Sequence, residues 1–379
     1  MFWLIVFAAC ALAIAYVLAG YPLLLALQAR FRARPVLKRF ESRSVSIVIA
    51  VHNGEMFLRN KLRYVLALRY PRELLQILVV SDGSTDATDA IAAEFASEGV
   101  ALLRIPRAGK PAALNAGIHQ ATGEILVLTD VRQELEPESV ERLVACFADP
   151  AVGVASGELL IRKGGLREEA DIGLYWRFES WIRNQLSALD SMFGATGPFY
   201  AIRRSVAVTI PEDVLLDDVY LPLSAFFCGF RLIVEPRARA IDYPTTLDTE
   251  FRRKVRTLAG NYQIIGHFPA LLGPANRMWL HFLSYKVGRL LLPYALIGLA
   301  VASFGLSRPW AIAAVAAQAA GYGLAALDPW IPASWILKRL SSPARTFVVM
   351  MLAAVCAVQV FFVSPRKLWK PTTIPSLKL

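Results

Sequence analysis

Four stretches of this chain carry no charged residue at all: Met1 to Ala29, Leu290 to Ser307, Pro309 to Leu327 and Thr346 to Ser364. Each approaches or exceeds the roughly 18 to 20 residues that take a helix across the hydrocarbon core. The chain is therefore constrained to a charged middle part held between membrane-length helices. Composition agrees, since 56% of its 379 residues are hydrophobic and only 19% are charged, against about 25% charged in a soluble domain. The first stretch lacks the basic start of a secretory signal and outruns the usual apolar region of one, so it reads as a retained anchor. Arg30, Arg32, Arg34, Lys38, Arg39 and Arg43 follow at once. By the positive-inside rule they put the middle part in the cytoplasm of a multi-pass protein of the cell (inner or plasma) membrane. Three further crossings would leave Arg366, Lys367 and Lys370 outside, against the same rule. Either one C-terminal segment re-enters, or the tail is an exception set by the earlier helices.

These marks divide the chain into an N-terminal transmembrane helix (1–29), a basic juxtamembrane linker (30–43) and a cytoplasmic domain (44–247). An interfacial amphipathic region (248–280), about three transmembrane helices (281–365) and a basic tail (366–379) follow. The net charge of +11 gathers beside the apolar stretches and in 231–256 with no nucleic-acid motif around it, so anionic headgroups and phosphorylated substrates, not nucleic acid, are the expected partners. Cys10 and Cys356 lie in apolar stretches, and Cys146 and Cys228 are isolated. No disulfide or zinc spacing exists, and the scattered His52, His119, His267 and His281 offer no transition-metal cluster.

From Ser44 short apolar runs alternate with helix-length segments: Val45 to Val51 then Met56 to Leu68, Gln76 to Val80 then Ala87 to Phe95, Ala101 to Ile105 then Pro111 to Gln120, Ile125 to Thr129 then Ser139 to Phe147, and last Val152 to Ala155. This rhythm predicts an α/β domain, a mostly parallel sheet with helical crossovers on both faces. Ligands of such sheets bind beyond the carboxyl ends of the strands. The polar clusters His52 to Glu55, Ser81 to Asp86 and Asp130 all fall there. After Ser156 the rhythm breaks, and a helical stretch near Glu168 to Leu189 carries Tyr175, Trp176, Phe178 and Trp181, for packing, headgroups or sugar stacking.

Several of these residues point to chemistry. Asp82 ends the second apolar run, where a carboxylate can hold a nucleobase imide or ribose hydroxyl, whereas Asp86 is either a helix cap or a ligand. Lys110 precedes a proline at the favoured first position of a helix, so a cation and free amides meet where a phosphate or base carbonyl would bind. Asp130 ends an apolar strand, and a divalent ion shared with two phosphates would compensate its charge. The residue two further on is Arg132, not a second acid. Asp217 and Asp218 open an apolar helix. One of them can cap it, and two adjacent carboxylates raise each other's proton affinity, which suits Asp218 to general-base work. Arg252, Arg253, Lys254 and Arg256 have helical spacing, either as a membrane-surface stripe or with Arg253 and Arg256 clamping a diphosphate.

Taken in order, these motifs resemble the family-2 inverting glycosyltransferases with a GT-A (Rossmann-like) fold, in the membrane-integrated branch that includes cellulose, hyaluronan and poly-N-acetylglucosamine synthases. The resemblance covers roughly Ser44 to Gln263. It implies that Asn53 and Glu55 line a nucleotide pocket, that Asp82 is the matched acid of the Asp-Asp-Gly-Ser turn with Ser81 departing from it, and that Lys110 touches the donor. It implies further that Asp130 binds Mg2+ or Mn2+ and that Asp218, beside Asp217, is the base. Gly194 to Gly197 resembles the segment bordering the acceptor. The Gln-x-x-Arg-Trp motif is matched in part: Arg253 stands for glutamine, Arg256 is kept and Thr257 stands for the tryptophan that floors the acceptor site of processive synthases.

The expected function is a membrane-bound inverting transfer of a hexose or N-acetylhexosamine from a nucleoside-diphosphate sugar, uridine by expectation, to a growing polysaccharide or lipid-linked acceptor. The departures at Ser81, Arg132 and Thr257 leave one alternative, a catalytically silent subunit of a polysaccharide complex. A transporter is disfavoured because the apolar stretches carry no ionisable group at mid-membrane.

Overall fold

Apolar runs with no alternating polar face need cover on both sides, which puts the strands made from them in the middle of a sheet. The structure, a computed structural model, describes residues 1–161, 169–243, 247–332 and 334–364. It divides into two compact units: Arg32–Lys163 with Arg183–Pro244, and Met1–Phe31 with Gly164–Ile182 and Thr245–Leu379.

The first unit holds the sheet. β1 (Val45–Val51), β2 (Leu75–Asp82), β3 (Val100–Ile105) and β4 (Ile125–Asp130) are parallel, ordered β3-β2-β1-β4. Their register pairs Val51 with Ser81 and Ala50 with Asp130, so the three central strands end together and deliver their polar residues to one rim. On one face Ile47, Ile49, Val79 and Val127 join Leu58, Leu62 and Val65 of the Glu55–Leu66 helix in a buried core. On the other face the Lys110–Gln120 helix lies against the sheet at Gly117, where an added Cβ would fall 2.4 Å from Val48 Cγ1.

β5 (Glu134–Leu135), β6 (Val152–Ile161), β7 (Phe199–Arg203) and β8 (Arg231–Asp242) complete the order β3-β2-β1-β4-β7-β6-β8-β5. The expected parallel rhythm holds through β4 and then changes. β7 inserts antiparallel between β4 and β6, and β5 runs antiparallel to β8, while β6 and β8 are parallel. The helix Glu169–Leu189 lies between β6 and β7 in the chain. The sheet is mixed and mostly parallel, with long apolar helices N- and C-terminal to it. The described residues 169–182 group with the second unit.

Among the described residues four helices are long and apolar enough to cross a membrane: Phe2–Arg32, Trp279–Ser303, Arg308–Trp330 and Lys338–Phe361. The first lies antiparallel along the second: an added Cβ would sit 2.9 Å from Cys10 Sγ at Gly298 and 2.2 Å from Trp3 at Gly305. Small residues at such a seam let helices approach without a hydrophobic driving force between them. Tyr16 and Ser284 add a hydroxyl pair at 2.7 Å. Asp328, buried, accepts from Ser341 Oγ at 2.6 Å and pairs with Lys338 at 2.8 Å, fastening the third helix to the fourth. Glu168, the Tyr175 side chain and the tail residues Arg366, Lys367 and Lys370 lie outside the described residues and side chains.

Candidate active site at the strand ends

Lys110 joins acids that are far apart in the chain. Its Nζ lies 3.0 Å from Asp130 Oδ1, at the end of β4, and 3.3 Å from Asp217 Oδ2, at the start of the Asp217–Phe227 helix. Burial acts to lower the lysine's pKa, but the carboxylates of Asp130, Asp217 and Asp218 outweigh it and raise the pKa above the ordinary value. Asp130 shows the reciprocal effect. Burial pushes its pKa up, but Lys110, Arg132 and Lys61 hold it below the usual carboxylate value. The sequence-predicted metal acid, base pair and donor lysine thus come together at one place.

The supports of this cluster are local. Asp82 is 2% exposed and turned inward: it accepts from Ala108 N at 2.7 Å, from Gly109 N at 3.0 Å and from the Arg107 guanidinium. Its carboxylate therefore shapes residues 106–109, which aim Lys110. Gly83 at φ +58 lets the turn pass beneath that loop, where any Cβ would meet the Arg107 backbone at 2.8 Å. Asn53, also left-handed at φ 49, accepts from Thr85 N at 2.8 Å. Glu55 and Asp86 cap each other's helices: Glu55 Oε2 accepts from Ala87 N at 3.0 Å, and Asp86 Oδ2 accepts from Glu55 N at 3.0 Å. Asp86 also takes Thr88 N at 3.0 Å, so its open reading resolves to a cap.

On the other side, Asn115 of the Lys110–Gln120 helix exchanges two hydrogen bonds with the Ile210 backbone, at 2.8 and 2.9 Å, just upstream of the acid pair. Neither Asp217 nor Asp218 caps its helix by side chain; Leu216 takes the cap position. Ala195 N donates to Asp218 O at 2.7 Å, and Thr196 N donates to Ser156 Oγ at 2.8 Å, so the Gly194 to Gly197 loop lies flat on the helix start. A side chain at Gly197 would sit 2.8 Å from Asp218 Oδ2, on the carboxylate itself.

Arg132, in place of a second metal acid, gives its guanidinium to Asp242 at the end of β8, and Gln133 Nε2 donates to the same Oδ2 at 2.9 Å. Among the described residues no three histidine, cysteine or acidic side chains gather as a cation cage. Asp130 is nonetheless suited to an ion: its side chain is 36% exposed at the strand end, and one carboxylate completed by water and diphosphate oxygens is a usual set for Mg2+.

Arg253 and Arg256 lie in the second unit, on the Leu247–His267 helix, where Arg253 pairs with Glu250 at 2.7 Å and the neighbouring Lys254 sits 5.1 Å over the Trp176 ring. Two residues of the first unit escaped the sequence reading. Lys61 is 1% exposed and donates to Thr129 Oγ1 at 2.7 Å and to the Gln133 carbonyl at 2.8 Å. Burial pushes its pKa down to about 7, against the pull of Asp130. Its position within the stripe Leu58, Leu62, Val65 was the available signal. Tyr200 on β7 is fully buried, and no residue pattern marked it.

Residues 46–210 match the model of the family described as Glycosyl transferase family 2. The chain is 25% identical over 245 residues to a probable glycosyltransferase, YdaM, of Bacillus subtilis, covering 60% of this chain and 57% of that protein. It is 26% identical over 292 residues to an N-acetylglucosaminyltransferase of Rhizobium leguminosarum bv. viciae, covering 70% of this chain and 68% of that one. The chain thus spans little more than half the length of the first relative and about two thirds of the second. In fold it is similar to the mannosyltransferase PcManGT of Pyrobaculum calidifontis, solved with GDP-Man and Mn2+, at a TM-score of 0.72 and 24% identity over 94% of this chain and 99% of that one.

Proposed function

We propose that this chain, whose residues 46–210 match the model of the family described as Glycosyl transferase family 2, is a membrane-bound inverting transferase. It moves a hexose or N-acetylhexosamine from a nucleoside diphosphate, UDP by expectation, to a growing polysaccharide or lipid-linked acceptor. The observation that carries this is the Lys110 ammonium between Asp130 and Asp217, with Asp218 adjoining, because it brings a phosphate-binding cation and a base to one rim. Asp218 takes the acceptor's hydroxyl proton while the acceptor oxygen bonds to the anomeric carbon from the face opposite the leaving group. The bond from that carbon to the diphosphate oxygen breaks, and the electron pair leaves with the diphosphate. Lys110 meets that growing charge. Asp130 is the residue that would hold Mg2+ or Mn2+, which when bound neutralises the diphosphate. Asn53, Glu55 and Asp82 border the nucleotide through the loops they fix. The assignment of Arg253 and Arg256 to the leaving group rests on their sequence pattern. Four membrane-length helices support a membrane-borne acceptor.

The test is to incubate membranes containing the full chain with labelled nucleotide sugars and follow label into lipid extract and polymer. Transfer that Asp218→Asn abolishes is the expected result. Failure of every donor, or transfer indifferent to that substitution, would overturn the proposal.

A further inference from the structure

Strand register places Tyr200 among the acids. Residues directly opposite one another in an antiparallel pair point to the same face. Tyr200 of β7 stands opposite Leu128 of β4 on one side and Ser156 of β6 on the other. Asp130 lies two residues beyond Leu128, hence on that face too. The Lys110–Gln120 helix covers the same face, because Val48, the β1 partner of Leu128, is the side chain that meets Gly117.

Tyr200 is 0% exposed, and among the described residues its hydroxyl has no hydrogen-bond partner. A buried hydroxyl left unmade is disfavoured against a phenylalanine of the same shape, so its presence needs a reason. Burial, then the charges of Asp217, Asp218 and Asp130, hold the phenol's pKa well above its ordinary value. The phenol is a neutral donor on the sheet face that carries Asp130, and Asp130 is joined to Asp217 through Lys110. Asp217 is partnered by the Lys110 ammonium at 3.3 Å, which Asp130 shares at 3.0 Å.

We propose that Tyr200 is a positioning residue whose hydroxyl takes over Asp217 when Lys110 is drawn to the donor's diphosphate, keeping the start of the Asp217–Phe227 helix in place for proton transfer to Asp218. The proposal rests on the functional reading above, in which Lys110 contacts the donor. One cation cannot serve two carboxylates and a diphosphate equally well. A neutral donor beneath the acids keeps Asp217 satisfied once that cation turns to phosphate, without adding charge to the site.

The experiment uses the detergent-solubilised full chain and Tyr200→Phe. The variant is expected to match or exceed the wild-type thermal midpoint when free, and to gain less than the wild type on addition of UDP with Mn2+ or GDP with Mn2+. Its kcat is expected to fall about tenfold with donor KM within about twofold, and adding Tyr200→Phe to Asp217→Asn is expected to cost nothing more. A lowered midpoint in the free protein would assign the hydroxyl to the core and overturn the proposal. So would an unaltered nucleotide response, an unaltered kcat, or effects that simply add. A wild type that answers neither nucleotide and turns over no donor overturns the functional reading and this inference together, whereas a responsive wild type with an indifferent Tyr200→Phe overturns the inference alone.

Discussion

Lys61 and Thr129 meet inside the sheet domain, Nζ to Oγ1 at 2.7 Å, one residue before Asp130. The same ammonium reaches the Gln133 carbonyl at 2.8 Å, so it ties both ends of the short turn that presents Asp130. A buried amine with its pKa brought down to about 7 is an electrostatic liability at neutral pH and below.

Stability should therefore depend on pH through this group. Between about 7 and the ordinary lysine value of 10.5 the unfolded chain binds the proton and the folded one does not. Stability then rises with pH, by at most about 1.4 kcal/mol per unit, and below 7 the full penalty persists. Lys61→Met is expected to flatten this slope and to raise the thermal midpoint more at acidic than at alkaline pH. Parallel melting profiles of the two proteins across that range would refute it.

Asn115→Leu keeps the helix but strips Ile210 of both its partners. The expected cost is about 1 to 3 kcal/mol in stability, together with a loss of kcat larger than any change in donor KM, because Ile210 leads into the segment that ends at the acid pair. Urea midpoints and steady-state kinetics check it; a stable, fully active variant would show that this tie is dispensable.

The two acids should separate by phenotype. Asp218→Asn is expected to reduce kcat on the order of 10² to 10⁴-fold while nucleotide with Mn2+ still raises the thermal midpoint. Asp130→Asn is expected to lose the Mn2+-dependent part of that rise. If the two variants behave alike in both assays, the division of labour is wrong.

Tyr262 and Phe361 pack with ring centroids 5.5 Å apart, so the end of the last apolar helix meets the amphipathic Leu247–His267 helix. A contact that short cannot bridge a hydrocarbon core of about 30 Å. Cysteines placed at Arg252 and Ser364 in a cysteine-free chain are expected to react with an impermeant maleimide from the same, cytoplasmic side. That outcome would reconcile the basic tail with the positive-inside rule by leaving one C-terminal segment without a full crossing. Labelling of Ser364→Cys from outside would refute it.

How much of this could be read beforehand follows from what each residue's neighbours in the chain disclose. β1, β2 and β4 announced themselves because strands covered on both faces must be apolar throughout. β8 did not: Glu235, Pro236, Arg237 and Arg239 interrupt it, and those interruptions coincide with a register shift against β6 between Ser156 and Glu158. Asp130, Asp217 and Lys110 were legible as individual groups at strand and helix ends, but their meeting was a guess until the sheet order was known. The Arg132 to Asp242 pair was out of reach, since 110 residues separate its members. Asp82 was read for its position at a strand end, and only the fold reveals that its oxygens face the protein's own amides.

The mutual capping of Glu55 and Asp86 carries a mechanical implication. Asp86 holds the first amide of the Glu55–Leu66 helix and Glu55 holds the amide of Ala87, just before the Thr88–Glu94 helix, so the turns after β1 and β2 are tied to each other at two points. Motion of one turn is therefore expected to carry the other, and a substitution at one of the two positions to be felt at its partner.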